Sequence, residues 1–274
     1  MKYPLETFAV YKSTMSRIFI TGAADGLGQM AARLLIADGH QVVLHARSDY
    51  RAEDALASAL GAEAAVSGDL SSISETIALA EKVNKLGRFD AIIHNAGIGF
   101  GEISRGNSAD GLPPLFAVNT LAPYILTSLI RLPQRLVYLS SGLHRDGDPV
   151  LDDLTWDSRR WNRYQAYADT KLHNMLIAFA VARYDKDVYS NAVEPGWAAT
   201  KMGGPGAPGN LKRASETQVW LASSSSPEAL VGGKYFFRKY PHAFLPAAAN
   251  IDFQEKLLAA CERISGISFL SNHD

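Results

Sequence analysis

Strand-like and helix-like segments alternate along residues 17–195 of this 274-residue chain, a glycine-rich turn joins the first strand to the first helix, and no linker or repeat interrupts the rhythm. These observations predict an α/β protein, a single-domain doubly wound fold whose mostly parallel sheet of about seven strands is flanked by helices.

RIFIT (17–21) is a short β-rich run and the first strand. Apolar spacing predicts a helix over 26–38, ended by Gly39. QVVLHA (41–46) is a second strand and 51–60 a second helix, with a weaker strand near 63–67. SISETIALAEKVNKL (72–86) has helical spacing and is followed by Gly87. FDAIIHN (89–95) is apolar through its centre, as a strand buried on both faces is. Residues 112–131 read as helical despite Pro113, Pro114 and Pro123. RLVYLSS (135–141) is a strand, 165–184 a long helix, and DVYSNAV (187–193) a strand. Val42, Val43, Leu44, Ile92, Ile93, Val137, Tyr138 and Leu139 are expected to fill the sheet's core.

Residues 1–14 precede the first clear strand and read as an N-terminal extension or an upstream start; 15–274 read as one domain. Two irregular stretches stand out. One is polar with two tryptophans (142–163); the other is rich in glycine and proline near 201–215. Both follow strand ends, where open α/β sheets bind ligands, so they are expected to form a substrate wall and a lid. Plain connection or disorder is the alternative for each.

Composition narrows the function. Apolar residues make up 47% and formal net charge is −1, which argues against nucleic acid and anionic membrane as partners. No apolar run approaches the ~20 residues of a membrane span, and MKYPLETFAVYKSTMSR lacks a secretory signal. Cys261 is the single cysteine, so no intrachain disulfide can form. A cytoplasmic protein without a metal site is expected.

The turn after the first strand reads GAADGLG, with glycines at 22, 26 and 28. Glycine permits close backbone approach, and the following helix start offers unpaired N–H groups to an anion. The spacing departs from G-x-G-x-x-G, and a simple turn is the alternative. After the second strand, where an NAD-selective enzyme places an acidic residue, stand Ala46 and Arg47. Arginine suits a 2′-phosphate, which favours NADP(H) over NAD(H), against the alternative of a solvated loop arginine. Asp25, in the glycine turn, would oppose a 2′-phosphate if it faced one.

In YQAYADTKLHN (164–174), Tyr167 and Lys171 are four apart and share a helix face, about 6 Å apart at Cβ. A free phenol of pKa ~10 is a poor acid near neutral pH. A neighbouring ammonium is expected to lower that value and equip Tyr167 for proton transfer. Tyr164 lies a turn further away and reads as pocket wall or core.

The chain resembles the short-chain dehydrogenase/reductase family. TGAADGLG (21–28), HNAG (94–97), VNTLAP (118–123), LSS (139–141), YADTK (167–171) and NAVEPGWAAT (191–200) occur in the family's order. The resemblance implies a single-domain Rossmann enzyme with Tyr167 as general acid/base. It implies that Lys171 holds the nicotinamide ribose and tunes Tyr167, that Ser141 orients and polarises the substrate carbonyl, and that Asn119 supports a proton-relay water. For the cofactor it implies Gly22, Gly26, Leu27 and Gly28 at the pyrophosphate and Asp69 and Leu70 at the adenine. Asn95, Ala96 and Gly97 would border the adenosine, and Pro195, Gly196 and Thr200 would meet the nicotinamide.

Residues 142–166 separate Ser141 from Tyr167, a longer segment than compact members have. This segment is similar to the retinol-dehydrogenase-like branch, and the C-terminal part looks like bacterial anthracycline-type ketoreductases. His94 stands where the family commonly has asparagine and reads as a satisfied polar residue at a strand end. Glu194, before Pro195, has no role in this reading. The apolar helices at 112–131 and 165–184 pair across a two-fold axis in the family, which implies a homodimer or homotetramer.

The function expected is an NADP(H)-dependent carbonyl reductase or alcohol dehydrogenase of EC class 1.1.1. Trp156, Trp161 and Trp197 suggest a small apolar ketone or aldehyde substrate. The alternatives are an NAD-preferring alcohol dehydrogenase, a non-catalytic NADP(H) sensor, and a nucleotide-sugar epimerase of the extended type.

Overall fold

The computed structural model describes residues 15–99, 104–204 and 206–270; the extension expected over 1–14 lies outside them. The first half runs β1 (Arg17–Ile20), α1 (Gly26–Ala37), β2 (Gln41–Ala46), α2 (Asp49–Ser58), β3 (Ala64–Ser67), α3 (Ile73–Lys85) and β4 (Ala91–His94). Next come α4 (Pro114–Phe116), a π-helical turn (Ala117–Leu121), α5 (Ala122–Leu129) and β5 (Arg135–Leu139). The remainder is α6 (Arg163–Tyr184), β6 (Tyr189–Glu194), α7 (Leu211–Ser223), β7 (Tyr235–Phe237), β8 (Tyr240–Pro241) and α8 (Ile251–Ser265).

The sheet has eight strands in the order β3-β2-β1-β4-β5-β6-β7-β8. All pairings are parallel except β7 with β8. About seven strands were expected; the eighth is a two-residue antiparallel edge, too short to leave a pattern. Strand order reverses between β1 and β4, so the loops leaving these two strands diverge and open a crevice at the sheet's carboxyl edge.

Side-chain alternation splits the core. Ile18, Ile20, Val42 and Leu44 face the layer of α1 and α7, whereas Phe19, Val43, Ile92 and Tyr138 face α3, α5, α6 and α8. All eight residues expected in the core are buried.

Two expectations change. The helix over 112–131 is interrupted by a π-turn that carries Asn119. The irregular stretch near 201–215 ends earlier, because Asn210 caps α7 by accepting the Arg213 N–H at 3.0 Å. α8 packs on α5 and α6, and the Tyr124 hydroxyl donates to the Ile267 carbonyl at 2.6 Å. Residues Ala122–Ser128 of α5 and Ala166–Val181 of α6 are buried without a partner chain.

Candidate active site

Two adjoining cavities open at the carboxyl edge of the sheet. The larger, about 650 Å³, is lined by Gly22, Gly26, Leu27, Arg47, Asp69, Leu70, Asn95, Ala96 and Gly97. The other, about 470 Å³, is lined by Ser141, Tyr167, Lys171, Pro195, Gly196, Thr200 and Glu194 with apolar Leu143, Trp197 and Met202. Leu27, Asn95, Gly97, Thr200 and Met202 border both.

The larger cavity fits a dinucleotide. A Cβ on Gly28 would lie 2.4 Å from both the Gly22 carbonyl oxygen and the Asn95 amide nitrogen, so only glycine lets α1 seat this close to the strand ends. Gly22 has φ +64 and its missing Cβ would meet the Ala96 Cα at 2.8 Å. α1 starts without a side-chain cap, which leaves its first-turn N–H groups for an anion. Asn95 donates to the Thr21 and Gly22 carbonyls at 2.9 and 3.0 Å and ties the turn to β4.

A residue missed by sequence reasoning completes this support. His45 accepts the Gly22 N–H at Nδ1 (3.0 Å) and bonds the Gly68 carbonyl through Nε2 (2.9 Å). Burial takes its pKa down to about 4, so the neutral tautomer with a proton on Nε2 satisfies both bonds. Its only sequence signal is a polar residue inside a buried strand.

Cations gather at the adenosine end. Arg47 is exposed and faces the cavity. Arg51 and Lys201 hold Asp25 at 2.9 and 2.8 Å. The carboxylate that would oppose a phosphate is thereby neutralised, through contacts far apart in the chain. Asp69 accepts from the Ser71 amide and hydroxyl at 2.9 and 2.8 Å, and Leu70 is buried beside it.

At the chemical end, Ser141 leaves β5 and Tyr167 and Lys171 project from α6. Ser141 and Tyr167 line the same cavity, and the Ser141 hydroxyl accepts the Leu143 N–H at 3.3 Å. Lys171 Nζ lies 5.2 Å from the Tyr167 ring centre and donates to the Leu139 carbonyl at 3.1 Å. Burial pushes the phenol up to about 12, against the lowering effect of Ser141. Burial also brings Lys171 down to about 8. The lowering of Tyr167 expected from Lys171 does not appear; the desolvation of the phenol sets the direction. At neutral pH the phenol keeps its proton.

Asn119 is buried behind Gly97. Its Oδ1 accepts the Ile98 N–H at 2.8 Å, and its Nδ2 donates to the Ile98 carbonyl at 2.9 Å and to Thr170 Oγ1 at 3.1 Å. The side-chain amide has protein partners at both its oxygen and its nitrogen.

Other expectations are corrected. Only Trp197 faces the substrate cavity. Trp156 and Trp161 form an edge-to-face pair, ring centres 5.3 Å apart, packed with Leu115 and Ala166 against Tyr167. They brace the catalytic helix instead of walling the substrate. Tyr164 is 57% exposed, neither core nor pocket. The glycine- and proline-rich stretch is folded against the site: Ala198 bridges Gly209, and Trp197 Nε1 donates to the Gly203 carbonyl at 2.9 Å. His94 is buried and stacked on Tyr138, ring centres 4.6 Å apart; its Nε2 is hydrogen-bonded with Thr127 Oγ1 at 3.2 Å, whereas its Nδ1 has no hydrogen-bond partner among the described residues, so the expected satisfied polar residue is satisfied at one nitrogen.

The short chain dehydrogenase family model matches residues 16–135. An oxidoreductase of Emericella nidulans is 46% identical over 257 residues, covering 92% of this chain and 98% of its own. Human retinol dehydrogenase 14 is 30% identical, covering 91% of this chain and 86% of its own. A crystal structure of a Mycobacterium paratuberculosis protein superposes with TM-score 0.78 at 26% identity, covering 93% of this chain and 94% of that one. No described helix is long and apolar enough to cross a membrane.

Proposed function

The chain belongs to the short-chain dehydrogenase family, and from that premise we propose that it is an NADP(H)-dependent oxidoreductase interconverting a small, largely apolar ketone or aldehyde and its alcohol, acting in the cytoplasm. The observation that carries this reading is the convergence of Ser141, Tyr167 and Lys171 on one cavity wall, next to a second cavity of dinucleotide size.

When bound, the nicotinamide supplies or accepts the hydride. The chain's own residues do the rest. Gly22, Gly26 and Gly28 let the backbone approach a pyrophosphate, and Arg47, backed by Arg51 and Lys201, presents donors to a 2′-phosphate. Ser141 and Tyr167 point their hydroxyl groups at one place, where both can donate to a carbonyl oxygen. Tyr167, protonated at neutral pH, gives its proton to that oxygen as negative charge develops; in oxidation it receives the proton back. Lys171 stabilises the phenolate left behind, since its ammonium is present below about pH 8. Leu143, Trp197 and Met202 exclude water from the exchange.

The test is Tyr167→Phe assayed with NADPH against a panel of ketones and aldehydes. Turnover is expected to fall by about 10²–10⁴-fold, while NADPH binding, read by energy transfer from tryptophan, persists. Retained turnover would remove Tyr167 as the acid.

A further inference from the structure

Glu194 ends β6 and lines the same cavity as Ser141 and Tyr167. The pairing of β5 with β6 places it there: Leu139 is opposite Val193, and the Ser140 N–H donates to the Val193 carbonyl at 2.8 Å. The carboxylate therefore stands beside the strand end that delivers Ser141. Its Oε1 is 3.0 Å from where a Cβ on Gly142 would sit. Glycine after the catalytic serine leaves the space this carboxylate uses.

Among the described residues, one of its oxygens has a protein partner. Oε2 accepts the hydroxyl of buried Tyr235 at 2.7 Å. Among the described residues Glu194 forms no ion pair. Nearby Arg145 gives Nη1 to the Gly142 carbonyl at 3.3 Å and Nη2 to the Ala243 carbonyl. The cavity wall sets apolar Leu143, Trp197 and Met202 beside the polar Ser141, Tyr167, Lys171 and Thr200. Trp197 Nε1 is directed to Gly203. An acceptor-only group on a partly apolar cavity wall, with one oxygen unpartnered among the described residues, favours a ligand that brings a donor.

We propose that Glu194 is a specificity-determining residue, selecting carbonyl substrates that carry a hydroxyl or a protonated amine close to the reacting carbonyl. This rests on the reductase reading of the same cavity and adds a polar requirement to an otherwise apolar substrate. Tyr235 is the positioning residue that aims the carboxylate.

Matched ketones that differ only in a methyl, hydroxyl or aminomethyl substituent test the proposal. With NADPH, the native chain is expected to favour a donor-bearing ketone over its methyl analogue by about tenfold or more in kcat/KM. E194L should erase that ratio for both donors. E194Q, which keeps an acceptor but loses the charge, should erase it for the amine and retain part of it for the hydroxyl; this separates the two donor types. Y235F should keep the preference in weakened form. Equal handling of all three ketones by the native chain, or a parallel fall for all three in E194L, would overturn the proposal and leave Glu194 a structural partner of Tyr235. If the native chain turns over no ketone, the reductase reading fails by itself. The binding of the corresponding alcohols, followed by Trp197 fluorescence, then decides the Glu194 assignment: a donor preference lost in E194L supports it, and no preference overturns it.

Discussion

The Tyr167 hydroxyl donates to the Met202 sulfur across 3.8 Å. Met202 also closes over Gly99, where its Cγ lies 2.6 Å from the position of a Cβ, and it borders both cavities. The loop after β6 thus places a flexible thioether on the acid, where a carbonyl oxygen must arrive. Met202→Ala is expected to lower KM for bulky ketones several-fold with kcat maintained. A rise in KM for every substrate would show that the thioether is a needed wall and not an obstacle.

Lys171 connects the site to pH. Burial brings its pKa to about 8, so the ammonium that can grip an anionic cofactor is present below that value and lost above it. The kcat/KM for NADPH, which reports free-enzyme ionisations, should fall about tenfold per pH unit well above pH 8. Lys171→Met should bind NADPH weakly at all pH values and show no such break. A flat native profile from pH 7 to 9.5 would count against the assignment.

Arg47 is exposed at the adenosine end of the larger cavity. Arg47→Ala is expected to weaken NADPH binding by about tenfold or more, as loss of a charged hydrogen bond does, and to leave NADH binding little changed. Titration with both reduced cofactors, followed by energy transfer from tryptophan, measures this. Equal losses for the two would take Arg47 away from the phosphate.

Three histidines tie stability to acid pH. Burial holds His45 at about 4 and His94 and His173 at about 3, each below the ordinary value near 6.5. The unfolded chain therefore binds more protons than the folded one below that value. The stability these groups contribute is full above about pH 6.5 and is lost as pH falls toward 4, with a slope of about 1.4 kcal/mol per pH unit for each. Urea denaturation at pH 7, 6 and 5 should show the loss, and His173→Asn should flatten it. His173→Asn showing the native slope would remove His173 from the account.

Leu257 of α8 is fully buried and belongs to the same core as Tyr124, Leu176 and Phe179. Leu257→Ala should cost about 2–5 kcal/mol by denaturant unfolding. A loss under 1 kcal/mol would mean that α8 rests loosely on the helices it covers.

Much of this site was legible in the chain because its signals are local. The glycine turn, the Ser141 strand end and the four-residue spacing of Tyr167 and Lys171 each lie within one element or its edge. Backbone geometry then puts them where parallel β-α-β units bring all strand ends to one side. Arg47 was readable for the same reason, since it follows a strand directly.

Sequence alone determined the order of elements through β6 and the mostly parallel doubly wound sheet, because apolar period and glycine position act over short stretches. Tertiary structure decided what depends on distant segments meeting. It chose Trp197 over Trp156 and Trp161 for the cavity, paired Asp25 with Lys201, and packed α8 on α5 and α6. It also set Met202 on Tyr167 and left one oxygen of Glu194 open to the substrate space. Desolvation, a property of the whole packed site, reversed the pKa direction expected for Tyr167.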